Sequence, residues 1–83
     1  MPSRRDPEAD KNALEEFGRR LRHARNRRGL SLTDMSTRSG LQRTYVADVE
    51  RGERNPTYLT IARIAAALDL TPGDLFVEPP PSD

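Results

Sequence analysis

The stretch that decides the fold is Ser31-Leu32-Thr33-Asp34-Met35-Ser36-Thr37-Arg38-Ser39-Gly40-Leu41-Gln42-Arg43-Thr44-Tyr45-Val46-Ala47-Asp48-Val49-Glu50-Arg51. Ser31 and Asp34 stand three residues apart, the spacing of a capping box, so a short second helix carrying Leu32, Met35 and Ser36 is expected. Gly40 ends it, because a tight turn between two helices needs a residue that tolerates the left-handed backbone region. A third helix is expected from about Gln42 to Arg51, with Val46 and Val49 pointing inward. On its other face Arg43, Ala47 and Arg51 follow at four-residue intervals, with Thr44 and Asp48 beside them. Two helices joined in this way fit a helix-turn-helix, whose first helix crosses the DNA backbone while the second enters the major groove.

Upstream, Leu14, Phe17, Leu21, Ala24 and Arg25 recur at three- and four-residue spacing and give a first helix one inward face. It should stop near Arg28-Gly29. Residues 1–11, MPSRRDPEADK, mix proline with charges of both signs and lack an apolar period, so they are expected to form a flexible tail. Downstream, residues 52–56 form a turn, and a fourth helix from about Thr57 to Leu68 is expected to bury Tyr58, Ile61, Ala65 and Leu68. Thr71-Pro72-Gly73-Asp74 then offers a cap, a proline at the first helical position and an acidic third residue, opening a last helical turn with Leu75 and Phe76. Residues 78–83 read as a proline-rich tail. No segment alternates as a strand would. The expectation is an all-α, compact five-helix domain over residues 12–77, with the helix-turn-helix in helices 2 and 3.

A chain of 83 residues has room for one domain. At this size only about 60–65% of the unfolded surface is buried, so a dimer interface is a plausible supplement to the core. The absence of cysteine removes disulfides and thiolate metal sites. No run approaches the roughly 18 apolar residues that span a bilayer, and no signal-peptide core follows the first arginines, so a cytoplasmic location is expected. The net charge of +1 conceals a strong segregation. Residues 1–18 sum to −2, residues 19–54 to +6 and residues 55–83 to −3. A basic middle between acidic ends is a candidate footprint for a polyanion, although a solvated helix face would look the same.

Taken together, Phe17-Gly18-Arg19-Arg20-Leu21-Arg22, Gly29-Leu30-Ser31, Gly40-Leu41, Glu50-Arg51-Gly52, Asn55-Pro56, Ile64-Ala65 and Leu75-Phe76 resemble the phage Cro and repressor (XRE-like) type of helix-turn-helix domain. The resemblance covers everything between the tails and implies a lambda-repressor-like fold. Within that family, Arg43-Thr44-Tyr45-Val46 and Glu50-Arg51-Gly52-Glu53-Arg54-Asn55 look most like the controller proteins of restriction–modification systems. Such a likeness implies a sequence-specific regulator that binds palindromic double-stranded DNA as a homodimer, with RNA polymerase a candidate further partner and no cofactor. The sequence departs from the family pattern at Leu32, Ser36 and Gln42, where glutamine, alanine and a serine or threonine cap are usual.

Side-chain chemistry and the resemblance together nominate site residues. Arg43 can bond guanine O6 and N7 or, alternatively, only a phosphate. Thr44 can meet a base edge or simply favour the helix start. Ala47 can allow close approach or meet a thymine methyl. Asp48 can accept from cytosine N4 or pair with Arg51. Candidate phosphate contacts are Arg28, Thr33, Arg38, Tyr45, Arg51, Arg54 and Asn55, with packing beside helix 2 the alternative for Tyr45. Arg25 and Glu50 match positions that form a buried ion pair in phage-type relatives. Leu59, Ala62 and Ala66, with Leu70, Phe76 and Val77, form an apolar set that either serves a dimer interface or extends the core.

Two other classes compete. An enzyme is disfavoured: His23, the single histidine, lies on an arginine-rich face without a clear carboxylate partner, and no nucleophile, phosphate-loop or metal-ligand spacing is present. An antitoxin or other protein-interaction module on the same fold is compatible with an exposed leucine and the proline-rich tail.

Overall fold

Asp6 starts the first helix. Its Oδ1 accepts from the backbone N–H groups of Glu8 and Ala9 at 3.1 and 3.3 Å, and Pro7 takes the first helical position, where no N–H is needed. The computed structural model describes residues 6–77. Its elements are α1 (Pro7–Arg27), α2 (Leu32–Ser39), α3 (Arg43–Glu50), α4 (Tyr58–Ala67) and a 3₁₀ helix (Pro72–Phe76). There is no strand among the described residues. The fifth expected helix is thus a 3₁₀ turn, leaving four α-helices among the described residues.

The helix also takes in residues 7–11, which the sequence reading placed in an irregular tail. An aspartate cap, a proline and early acidic residues outweigh the missing apolar period there. The remainder of that expected tail, residues 1–5, and the whole expected tail at 78–83 lie outside the described residues.

The other ends follow the chemistry of caps. α1 closes with paired bonds, Leu30 N–H to Arg25 carbonyl at 3.1 Å and Gly29 N–H to Asn26 carbonyl at 3.0 Å, the Schellman arrangement. The same pattern closes α4 with Asp69 rather than glycine in the left-handed region, at φ 57°. The 3₁₀ helix opens on a capping box between Thr71 and Asp74. Those hydrogen bonds from Thr71 hold the Asp74 carboxyl below the usual carboxylate range.

Leu21, Met35, Val46, Val49, Ile64, Ala65, Ala67, Leu68 and Leu75 form the buried core. Tyr58 does not join it. At 65% exposed, it sits on the outer side of the first turn of α4, whose Ile61 packs against the core instead. α4 instead buries Ile64, Ala65 and Ala67 against α2 and the 3₁₀ helix.

α1 crosses the C-terminal end of α3 at very short range. A Cβ placed on Gly18 would stand 2.3 Å from the Glu50 carbonyl oxygen and 2.5 Å from that of Val49. Those atoms are main chain and cannot swing aside. Alanine is worth about 1 kcal/mol more than glycine within a helix, yet forced overpacking costs about 1–3 kcal/mol or more. Gly18→Ala is therefore expected to lower stability by about 2 kcal/mol in urea unfolding, the upper overpacking cost less the helix gain. Gly73→Ala, whose Cβ would meet only Thr71 Oγ1 at 3.8 Å, should stay within about 0.5 kcal/mol of the parent.

Candidate nucleic-acid interface

The helix-turn-helix is held by polar stitching as well as by its core. Asp34 N–H donates to Ser31 Oγ at 2.9 Å, and Ser31 N–H donates to Asp34 Oδ2 at 2.8 Å. These bonds keep the Asp34 carboxyl below its usual range. Gly40 lies at φ 76°, and its N–H returns to the Ser36 carbonyl at 2.9 Å. Ser36 Oγ donates to the Leu41 carbonyl at 2.5 Å. Ser39 Oγ donates to the Met35 carbonyl at 2.6 Å and accepts from Leu41 N–H at 3.1 Å. Two serines thus satisfy both main-chain groups of Leu41, whose side chain packs on the core.

α3 is shorter than expected by one residue at each end: Gln42 is its cap residue, without a side-chain cap bond, and Arg51 closes it. Val46 and Val49 are 0% and 1% exposed, so the inner face is fixed. Arg43 and Thr44 are exposed on the outer side, and Ala47 and Asp48 are half-buried beside them. Among the described residues no carboxylate or carbonyl engages the Arg43 guanidinium.

Further along the same helix the charges are paired. Asp48 Oδ1 bonds Arg51 Nη2, and Asp48 Oδ2 lies 3.6 Å from Arg54 Nε. Arg51 Nε also meets Glu53 Oε1 at 3.3 Å. The Arg54 guanidinium lies 5.7 Å from the centre of the Tyr45 ring, within cation–π range. Tyr45 itself is partly buried against the core.

The remaining candidates are more dispersed. Thr33 is exposed in the first turn of α2, and Asn55 is exposed before the buried Pro56. Arg28 and Arg38 share a shallow polar depression with Arg27, Leu30 and Asp69. There Arg38 Nη1 donates to the Ala67 carbonyl at 3.2 Å, at the end of α4. Leu32 packs against the core instead of standing free.

Arg25 Nε and Nη2 donate to the two Glu50 carboxylate oxygens at 2.6 and 3.0 Å, and Nη1 donates to the Leu30 carbonyl at 2.9 Å. The two side chains are 12% and 6% exposed. The hydrogen bond to Glu50 raises the Arg25 pKa despite the opposing effect of burial. Both residues are consumed by structure.

Of the apolar set on α4 and beyond it, Leu59 is 74%, Phe76 48% and Val77 60% exposed. Ala66 is exposed and Ala62 half-buried. Leu70 differs, since it packs against the monomer core. Phe76 rests on Phe17 with ring centres 5.8 Å apart.

Residues 16–76 match the model of a helix-turn-helix domain family. The chain belongs to the helix-turn-helix family of transcriptional regulators. Within it, the chain is close to restriction–modification controller proteins. It is 37% identical over 61 residues to the control protein C.BamHI of Bacillus amyloliquefaciens, spanning 72% of this chain and 75% of that one. It is 39% identical over 66 residues to the control protein C.SmaI of Serratia marcescens, spanning 76% and 79%. The crystal structure of the controller protein C.AhdI from Aeromonas hydrophila superposes with a TM-score of 0.77 at 46% identity, covering 78% of this chain and 98% of that one.

Sequence reasoning missed Ser36 and Ser39 as the fasteners of the turn, and Glu53 as a partner of Arg51. An available signal was the repeated serine flanking Gly40, since serine readily bonds nearby main chain.

Removal of one member of a buried ion pair strands the other charge, at a cost of about 3–5 kcal/mol. Arg25→Ala and Glu50→Ala are each expected to lose stability on that scale in thermal or urea unfolding. The double variant should cost clearly less than the two losses added, because it strands no charge.

Proposed function

We propose that this regulator binds a palindromic operator in double-stranded DNA as a homodimer, with α3 in the major groove, and acts as the controller of a restriction–modification system. The observation that carries this reading is the division of α3 into two faces. Buried Val46 and Val49 anchor it, while exposed Arg43 and Thr44 present base-reading groups whose side chains have no hydrogen bond or ion pair among the described residues. Arg43 takes the bidentate guanine contact, with Thr44 and Ala47 beside it. Tyr45, Arg54 and Asn55 meet the phosphates, which fix position and not sequence. Thr33 adds a contact at the start of α2, and Arg28 and Arg38 offer weaker ones.

One recognition helix covers few base pairs, so a two-fold partner is needed to read two half-sites. The exposed Leu59, Phe76 and Val77 supply an apolar surface for that partner. Kinship with transcriptional regulators supports a binding role and not a catalytic one, exercised in the cytoplasm on the cell's own DNA. No described helix is long and apolar enough to cross a membrane.

Selection of bound duplexes from a random pool tests this directly. The expected product is a two-fold symmetric site with half-site centres about 10 base pairs apart or a multiple of that. Arg43→Ala should flatten preference at one position of each half-site, a loss of about 1–3 kcal/mol of discrimination. Leu59→Glu should shift the protein to monomer in sedimentation and weaken binding to the full site. Failure to enrich any motif, with binding indifferent to salt, would overturn the reading.

A further inference from the structure

Asp48 is the most engaged side chain on the outer part of α3, and the function just proposed gives it no role. Its two oxygens face two different arginines, Arg51 at the end of the helix and Arg54 in the turn beyond. The Asp48 side chain is 25% exposed, whereas those of Arg51 and Arg54 are 55% and 57% exposed. Asp48 is thus the less exposed partner in both pairs, which lie at the surface. Tyr45 flanks Arg54 by its ring, so Arg54 is held from two directions. A group that reads cytosine must have an oxygen free toward the groove. Asp48 has both oxygens turned to cations.

A carboxylate between two guanidiniums offers the same charge sign and the same oxygen acceptors as a DNA phosphate. We infer that Asp48 is a positioning residue that stands in for a phosphate in the free protein, pre-aiming Arg51 and Arg54 and holding back their attachment to arbitrary DNA. This inference rests on the DNA-binding reading. Exposed ion pairs are worth little individually, so exchange of the carboxylate for a phosphate is easy where phosphates arrive in the right place. On a misaligned duplex one or both arginines keep their internal partner and are not spent on the backbone. Selectivity then comes partly from a built-in competitor for the phosphate contacts.

Asp48→Asn keeps the shape and removes the charge. The test compares a duplex recovered from random-pool selection with a scrambled duplex of equal length, across a salt series. The expected result is a rise of roughly fivefold in affinity for the scrambled duplex near 0.15 M salt, with a salt slope steeper by about one charge. Affinity for the selected duplex should rise less, so the ratio between the two falls. In an Arg54→Ala background the gain should shrink by at least half, which a diffuse charge effect would not do. Unfolding midpoints of parent and variant should coincide, since the pairs are exposed. If the variant loses affinity for the selected duplex alone, Asp48 is a base reader and the inference fails. If affinities and slope are unchanged, it also fails. Should the selection recover no bound duplex for the parent protein, the DNA-binding reading itself falls, an outcome separate from either of these.

Discussion

The seat of α1 on the C-terminal end of α3 is the constraint from which the rest of the structure follows. Gly18 brings α1 against the last carbonyls of α3, at a distance that excludes even a methyl group. Two helical turns further on, Arg25 grips the Glu50 side chain with two hydrogen bonds. Its third bond reaches the Leu30 carbonyl, at the entry to α2. One guanidinium therefore joins α1, the connection that follows it and the recognition helix. The pitch of α3 relative to the body is set by main-chain contact and by this ion pair together.

Rotation of α3 about its own axis is governed by a different term. Full burial of a valine side chain is worth about 1.5–3 kcal/mol, and both Val46 and Val49 are fully buried. The outer pairs, Asp48–Arg51 and Asp48–Arg54, are exposed and worth about 0–1 kcal/mol each. The valines therefore decide which face looks outward, and the outer pairs only arrange what is presented there. This hierarchy allows the outer residues to change partners without disturbing the helix that carries them.

Much of this was legible in the sequence because it is local. The apolar period of α1, the Ser31–Asp34 and Thr71–Asp74 boxes, the Gly40 turn and the two inward valines each depend on residues a few positions apart. What escaped depends on context. Tyr58 has the period of a core residue, yet it is exposed while Ile61, three residues on, packs against the core. For Leu70 the sequence left an interface and the core both open, and the left-handed Asp69 lies just before it where it packs on the core. The start of α1 was hidden because an aspartate–proline cap carries no apolar signal, so proline and mixed charge suggested a tail. The partners of Asp48 could be only half foreseen. Arg51 is on the same helix face, three residues on, but Arg54 reaches it through a turn whose path no periodicity reveals.

The distribution of charge has consequences at two distances. Within about one Debye length, roughly 10 Å at 0.1 M salt, the net charge of residues 19–54 acts as a sum on a polyanion, whatever its internal pairing. At contact the pairing is what matters. Arg25 is tied to Glu50, Arg51 to Asp48 and Glu53, Arg54 to Asp48, and Arg38 to the end of α4. Among the arginines of α3 and the turn after it, Arg43 alone has no such partner among the described residues. Attraction to a polyanion is thus a property of the whole segment. On the function proposed above, discrimination between sequences rests on the start of α3, where the Arg43 guanidinium has no partner among the described residues to give up.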